Sequence, residues 1–157
     1  MLLKVVFMYY EVEEITKALS QATEIINKRT VEKGFIRGYS DCFCFLIEYD
    51  KALRNNKSKA DEIFKKLKYN NAREFLIQLR KNRLDLKTFA RYSGYEIRNN
   101  LRPKYGDIAY TDGSAVIAGN GHWVTTDENN SGVKEGARLQ VKENRMHLIA
   151  RPLRKEL

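Results

Sequence analysis

The sequence predicts an α+β fold in which a series of helices precedes an antiparallel β-sheet. Through the first two thirds of the chain, hydrophobic residues recur at three- and four-residue steps, which is the helical period. After Pro103 that period disappears, and short apolar runs alternate with turns rich in Gly, Asn and Asp. Helices followed by strands are typical of α+β domains. With 157 residues, of which 43% are hydrophobic and 31% charged, we expect residues 1–157 to form one domain.

Two longer helices are predicted first. The helix at about residues 10–28 presents one apolar face, made by Val12, Ile15, Leu19, Ala22 and Ile26. A connection then runs from Lys33 to Ser40. The densely apolar segment from Phe43 to Leu53 follows, with Ser40 or Asp41 as its N-cap, and its length and composition favour a buried helix over a strand.

A basic helical insertion at about residues 55–100 comes next. Its first short helix carries the apolar positions from Ala60 to Leu67. The second runs from Ala72 to Leu79, with Asn70 or Asn71 as its cap. Asp85 caps a last helix that ends near Gly94.

The sheet is predicted at about residues 105–152. Three strands are expected at Asp107–Thr111, Ala115–Ala118 and His122–Thr126, separated by turns at Asp112-Gly113 and Gly119-Asn120-Gly121. The polar stretch from Asp127 to Gly136 is predicted to be a loop. A closing pair of strands, Ala137–Val141 and Met146–Ala150, is expected to turn at Glu143-Asn144.

The formal charge of +9 is concentrated in residues 51–104, which hold 16 Lys or Arg against 5 Asp or Glu. This excess could bind nucleic acid, an anionic wall polymer or an acidic protein. The helical spacing of the cations favours the alternative, that they are solvated helix faces. No apolar stretch is long enough for a membrane span. The apolar opening Met1–Tyr10 lacks a cleavage site, so we expect it to be part of the folded structure, in an intracellular protein or in one that leaves the cell without a signal.

Cys42 is the residue best placed for chemistry. It lies in the first turn of the predicted buried helix, where the positive end of the helix stabilises a thiolate. The alternative is that Cys42 and Cys44 are both small buried hydrophobic residues, as most free cysteines are. Two positions apart on a helix, the two thiols face different directions, so we expect no disulfide between them. Their spacing matches no zinc site, and we expect no metal or other cofactor.

A thiol nucleophile needs a base, and the chain offers only His122 and His147, both in the predicted sheet. If either is the base, Gln140, Asn120 or the other histidine could orient it. The alternative for each is an ordinary strand histidine at the surface.

The layout resembles the NlpC/P60 group of papain-like cysteine peptidases, and most closely its small phage-encoded members. The resemblance covers about residues 10–152. Three segments carry it: Gly38-Tyr39-Ser40-Asp41-Cys42 leading into an apolar helix, Gly94-Tyr95-Glu96-Ile97 before the sheet, and Tyr105-Gly106-Asp107-Ile108 at its start. It implies a Cys-bearing helix packed on the C-terminal sheet, with the basic helical segment inserted between them.

In this family a cysteine at the helix start is the nucleophile, a strand histidine the base, and a polar residue on the next strand the orienting group. The resemblance therefore implies that Cys42 is the nucleophile. The family histidine comes a few residues before a Gly-Asn-Gly-like turn, but that stretch reads Gly113-Ser114-Ala115-Val116 here, and His122 follows the turn. Either His122 has taken over the role of the base, or the site has lost its catalytic histidine.

Three functions are thus open. The first is a phage protein of the virion or tail assembly with thiol peptidase or amidase activity on cell-wall peptide. The second is a non-catalytic structural or docking protein with a degenerate site, and the third a basic protein that binds nucleic acid through residues 51–104. For the first two, the expected partners are other phage structural proteins or peptidoglycan peptide. The expected location is the host cytoplasm during assembly, then the virion.

Overall fold

The computed structural model describes residues 8–98, 102–111, 114–127, 132–139 and 146–154. Within these residues the chain forms five helices and a six-stranded sheet, so the predicted α+β class is confirmed. The helices are α1 (Val12–Lys33), α2 (Cys42–Leu53), α3 (Lys59–Phe64), α4 (Ala72–Lys81) and α5 (Leu86–Tyr92). The strands are β1 (Tyr95–Ile97), β2 (Ile108–Thr111), β3 (Ala115–Ala118), β4 (His122–Asp127), β5 (Gly132–Arg138) and β6 (Met146–Pro152).

The helices begin where short polar side chains can cap them. Ser58, Asn71 and Asp85 each accept a hydrogen bond from the backbone N–H three residues on, at the starts of α3, α4 and α5. α1 continues to Lys33, beyond the predicted end near residue 28. It stops at Gly34, whose φ of +76° ends the helical backbone.

The sheet is antiparallel throughout, in the order β1-β6-β2-β3-β4-β5. β6 lies between β1 and β2, whereas residues 137 and 138 belong to β5 at the far edge, so for the described residues the predicted pairing of 146–150 with 137–141 is wrong. β1 was also missed, because it is a three-residue strand inside the segment assigned to the helical insertion. The predicted turns at Asp112-Gly113 and Glu143-Asn144 lie outside the described residues.

The polar stretch predicted as a loop contains most of β5. This strand lies at the edge of the sheet, where Lys134 and Glu135 are exposed, so it lacks the apolar alternation of a buried strand. Its backbone pairs with β4, and the Val133 N–H also donates to Asn27 Oδ1 of α1 over 2.8 Å. Backbone pairing and contact with α1 therefore form this strand without a hydrophobic pattern.

The core lies between the helices and one face of the sheet. From Cys42 to Asp50 every residue of α2 is buried, because α1, α3 and strands β3 and β4 surround this helix. The sheet presents alternate residues to it, among them Ile108, Tyr110, Ala115, Ile117, Leu148 and Ala150. The residues between them form a second cluster on the opposite face, centred on Trp123. The predicted buried helix is confirmed.

The helical insertion is attached to this core by aromatic packing and by one buried cation. Phe43 of α2 stacks on Phe75 of α4, with ring centroids 4.1 Å apart. Arg54, just after α2, pairs with Asp50 over 2.9 Å and donates to the carbonyl oxygens of Gly94 and Leu153. None of the described helices has the length and apolar character that a membrane crossing requires.

Candidate functional site around Cys42

The candidate site begins with a tight loop that ends in the N-cap of α2. Gly38 has a φ of +80°, which lets its backbone N–H point back at the Asp41 carboxylate over 3.1 Å. Asp41 Oδ1 accepts from the Cys44 N–H over 3.0 Å, which confirms Asp41 as the cap. Tyr69, from the insertion, donates its hydroxyl to Asp41 Oδ2 over 2.7 Å. The buried carboxylate thus links the loop, the helix and the insertion.

Cys42 occupies the first position of α2 and points at the start of β3. Its sulfur accepts a hydrogen bond from the backbone N–H of Ala115 over 3.2 Å, and the residue is 4% exposed. Burial raises the pKa of the Cys42 thiol to about 12, and the Asp41 carboxylate adds to the rise. The Ala115 N–H and Arg37 act in the opposite direction but do not offset burial. The group in the folded protein is therefore a neutral thiol.

Cys44 is also a free, buried cysteine. Burial raises the pKa of its thiol, and the adjacent Asp41 carboxylate adds to the effect. Tyr110 lies on the helix-facing side of the sheet, where burial raises the pKa of its phenol, with smaller contributions from Asp50 and Cys42. Burial around Cys42 thus favours the protonated form of these two thiols and of this phenol.

The structure places His122 away from Cys42. Ala118 pairs with Trp123, so His122 lies opposite Gly119, and the Gly119 N–H donates to its carbonyl oxygen. Gly119 is four residues beyond Ala115 on the same extended segment, which corresponds to about 13 Å. The imidazole is 36% exposed, with Nδ1 3.9 Å from Glu135 Oε2 on the edge strand β5. His122 is therefore outside hydrogen-bond reach of the thiol.

The other two predicted site residues are not brought to Cys42 by any described contact. His147 belongs to β6, and β2 separates β6 from β3, which places its backbone about 10 Å from the strand that contacts the thiol. The side chain of His147 and the whole of Gln140 lie outside the described residues. Among the described residues, no three His, Cys, Asp or Glu side chains cluster as metal ligands would.

Two residues of this site were not predicted from the sequence. Ala115 was assigned only to a strand, and Tyr69 was assigned no role. An alanine in a strand carries no chemical signal, so only the packing of β3 against α2 reveals its contact with Cys42. Tyr69 follows a helix by several residues, and no local pattern links it to Asp41.

Comparisons with known proteins add no identification. No protein-family model matches the chain, and the searches of curated proteins and of solved structures gave no match.

Proposed function

We propose that this chain is a non-catalytic assembly protein with an NlpC/P60-like core, and that it acts in the virion or tail assembly of a phage. The observation that carries the non-catalytic part is the contact between Cys42 and Ala115. Ala115 belongs to the stretch before the Gly-Asn-Gly turn, where the family pattern places its histidine. A methyl side chain cannot accept a proton, so Ala115 itself cannot serve as the base.

The state of the thiol supports the same proposal. With a pKa of about 12, roughly one Cys42 in 10⁵ is a thiolate at pH 7. A hydrolase of this type needs a nucleophile that is ionised, reachable by substrate and within hydrogen-bond distance of a base. Cys42 is buried, and His122 lies near the far end of the neighbouring strand. The arrangement therefore favours a structural role for Cys42, filling space where α2 meets the sheet.

The assembly role rests on the resemblance together with the arrangement of elements. A cysteine at the start of a buried helix, packed on an antiparallel sheet and followed by a helical insertion, is the layout that the resemblance implies. Such a protein would work in the host cytoplasm during assembly and then in the virion, with other phage structural proteins as partners. The rival function is thiol peptidase or amidase action on peptidoglycan peptide.

A genetic experiment separates these functions. The gene is deleted in the genome that encodes it, or replaced by versions encoding Cys42→Ala or Cys44→Ala, and complete particles are counted by electron microscopy and plaque assay. We expect the deletion to lose complete particles and both substitutions to retain them. Normal particles from the deletion would contradict the assembly role.

A biochemical assay tests the rival function on the purified chain. We expect no release of peptides or free amino groups from peptidoglycan fragments, by the wild type or by Cys42→Ala. Hydrolysis by the wild type that Cys42→Ala abolishes, with Cys44→Ala still active, would overturn the non-catalytic part of the proposal.

A further inference from the structure

The hairpin formed by α4, the turn after it and α5 carries an unpaired positive charge. Within residues 72–92 lie six cations, all exposed: Arg73, Arg80, Lys81, Arg83, Lys87 and Arg91. None of them forms an ion pair with a carboxylate in the described part of the chain. The two acidic residues of the hairpin, Glu74 and Asp85, are hydrogen-bonded to backbone N–H groups at the helix starts.

An apolar cleft lies between these cations. It has a volume of about 410 Å³ and is lined by Leu76, Leu79, Leu84 and Leu86, with Arg80, Asp85 and Lys87 around them. The turn that forms one end of the cleft is held by backbone hydrogen bonds, among them Leu84 N–H to the Leu79 carbonyl over 2.9 Å. The cleft is therefore formed before any partner arrives.

The combination of exposed cations and an apolar cleft distinguishes between the two kinds of partner that a basic surface can bind, nucleic acid and an acidic protein segment. Single-stranded nucleic acid binds best where exposed aromatic rings stack on its bases. On this hairpin Phe75 and Phe89 are buried, and the Lys59 ammonium lies over the exposed Tyr92 ring, 5.2 Å from its centroid, where it competes with a stacked base. A leucine-lined cleft also offers nothing to a phosphate backbone. A protein segment can bind both features, because one apolar side chain can enter the cleft while carboxylates pair with the cations around it.

We propose that the α4–α5 hairpin docks an acidic, amphipathic segment of a protein partner, with the apolar side chain of that segment in the leucine-lined cleft. This inference rests on the proposed assembly function and names the surface through which it operates. Arg80 and Lys87 flank the cleft and pair with carboxylates on either side of the apolar anchor. The docked segment is part of another protein, because the chain as a whole carries a net charge of +9 and two copies of the hairpin repel each other.

Binding of synthetic probes by the full-length chain tests this proposal. The first probe is a short fluorescent peptide with leucines on one helical face and glutamates on the other. The second replaces the leucines by serines, and the third is a fluorescent oligonucleotide, single-stranded or duplex. We expect saturable binding of the first peptide, and binding of the other probes weaker by about tenfold or more. Equal binding of the serine peptide, or tighter binding of the oligonucleotide, would overturn the protein-segment assignment.

Charge reversal locates the site. Arg80→Glu with Lys87→Glu should weaken binding of the leucine–glutamate peptide by about tenfold or more. The matched control is Lys17→Glu with Lys28→Glu on α1, which changes the net charge equally at exposed positions away from the hairpin. We expect the control to bind nearly as the wild type does, and circular dichroism to show both variants folded. Equal losses in both variants would show that binding follows net charge and would contradict a site on the hairpin.

The same variants distinguish failure of this inference from failure of the assembly function. If the deletion loses particles but the Arg80→Glu, Lys87→Glu variant assembles them normally, the hairpin is not the docking surface and the assembly role stands. If the deletion itself assembles normally, the assembly role fails whatever the peptides do.

Discussion

The backbone N–H of Ala115 donates to the sulfur of Cys42 over 3.2 Å and joins the start of α2 to the start of β3. In this contact a buried thiol meets a backbone peptide group. The thiol is nearly inaccessible, and the contact ties a helix to a sheet. Measurable properties of the protein follow from this relationship and from its buried surroundings.

Cys42 should alkylate slowly in the folded protein. At neutral pH a thiol with a pKa of about 12 is ionised roughly 10³-fold less than a free cysteine, and burial slows the reaction further. Iodoacetamide labelling of the Cys44→Ala variant, followed by mass spectrometry across pH, measures this rate. We expect labelling at least about 10³-fold slower than a model thiol, rising only toward pH 12 or on unfolding.

His122→Ala is the control for that experiment. Since the imidazole lies beside Glu135 at the edge of the sheet, its removal should leave the labelling rate of Cys42 unchanged. It should also change the free energy of unfolding by less than about 0.5 kcal/mol. Rapid labelling near pH 7 that His122→Ala slows would contradict the placement of these two residues and restore the catalytic interpretation.

The protein should lose stability at alkaline pH. Burial raises the pKa of both cysteine thiols and of the phenols of Tyr49, Tyr69, Tyr95 and Tyr110. The folded state therefore keeps protons that the unfolded chain releases from about pH 8.5 for Cys and pH 10 for Tyr. The stabilising contribution is complete below pH 8 and is lost as the pH rises toward and past 12. Urea unfolding at a series of pH values measures the decline.

Two tyrosine variants test the origin of that decline. Tyr110→Phe removes a buried phenol and should reduce the alkaline slope, by up to about 1.4 kcal/mol per pH unit. The matched control is Tyr92→Phe, which removes a hydroxyl from a ring that is 47% exposed. Equal slopes for the wild type and Tyr110→Phe would show that the buried phenol does not contribute.

The sequence predicted those parts of the fold that local chemistry determines. Asp41 and the apolar run after it define the start and burial of α2, because a cap and its helix are neighbours in the chain. Strand β3 between two turns was predicted with its observed bounds, Ala115–Ala118. In each case the residues that form the element also carry its signal.

Strand pairing and the candidate site were harder to predict from the sequence, since both depend on contacts between residues distant in the chain. β6 pairs with β1 and β2 rather than with β5, the described strand before it, and nothing local to β6 specifies that choice. His122 was a reasonable base from residue type alone, but the register of β3 against β4 places it one strand length from Cys42. The edge strand β5 lacks a hydrophobic pattern because it is exposed.

The Asp41 carboxylate should be among the most sensitive positions in the protein. Asp41→Ala removes the cap of α2 and leaves the Tyr69 hydroxyl and the Gly38 N–H without their acceptor. We expect a loss of about 3 to 5 kcal/mol in the free energy of unfolding, measured by urea denaturation. Asn71→Ala, at the exposed cap of α4, should cost only about 1 kcal/mol.

A double-mutant cycle isolates the bond between Asp41 and Tyr69. Asp41→Asn and Tyr69→Phe should each destabilise the protein, and their combination should cost less than the sum by about 1 to 2 kcal/mol. Additive effects would mean that the two side chains do not act as a pair and that the insertion is attached to the α2 start by its aromatic packing alone.

A side chain at Gly106 should destabilise the protein by steric contact as well as by its backbone angle. Its φ is +92°, and an added Cβ would lie 2.7 Å from Ile15 Cδ1, 2.8 Å from Ile15 Cγ2 and 3.0 Å from the Tyr49 hydroxyl. Gly121 has a similar φ of +83° but nothing within 4 Å of such a Cβ. Gly121→Ala should therefore cost only the backbone strain, about 1 to 2 kcal/mol. Gly106→Ala should cost about 1 to 3 kcal/mol more, because Ile15 of α1 and Tyr49 of α2 must move away from this turn. Urea denaturation measures the loss of unfolding free energy in the two variants. Equal losses would show that only the backbone angle at Gly106 matters, and that Ile15 can move away from an added Cβ without cost.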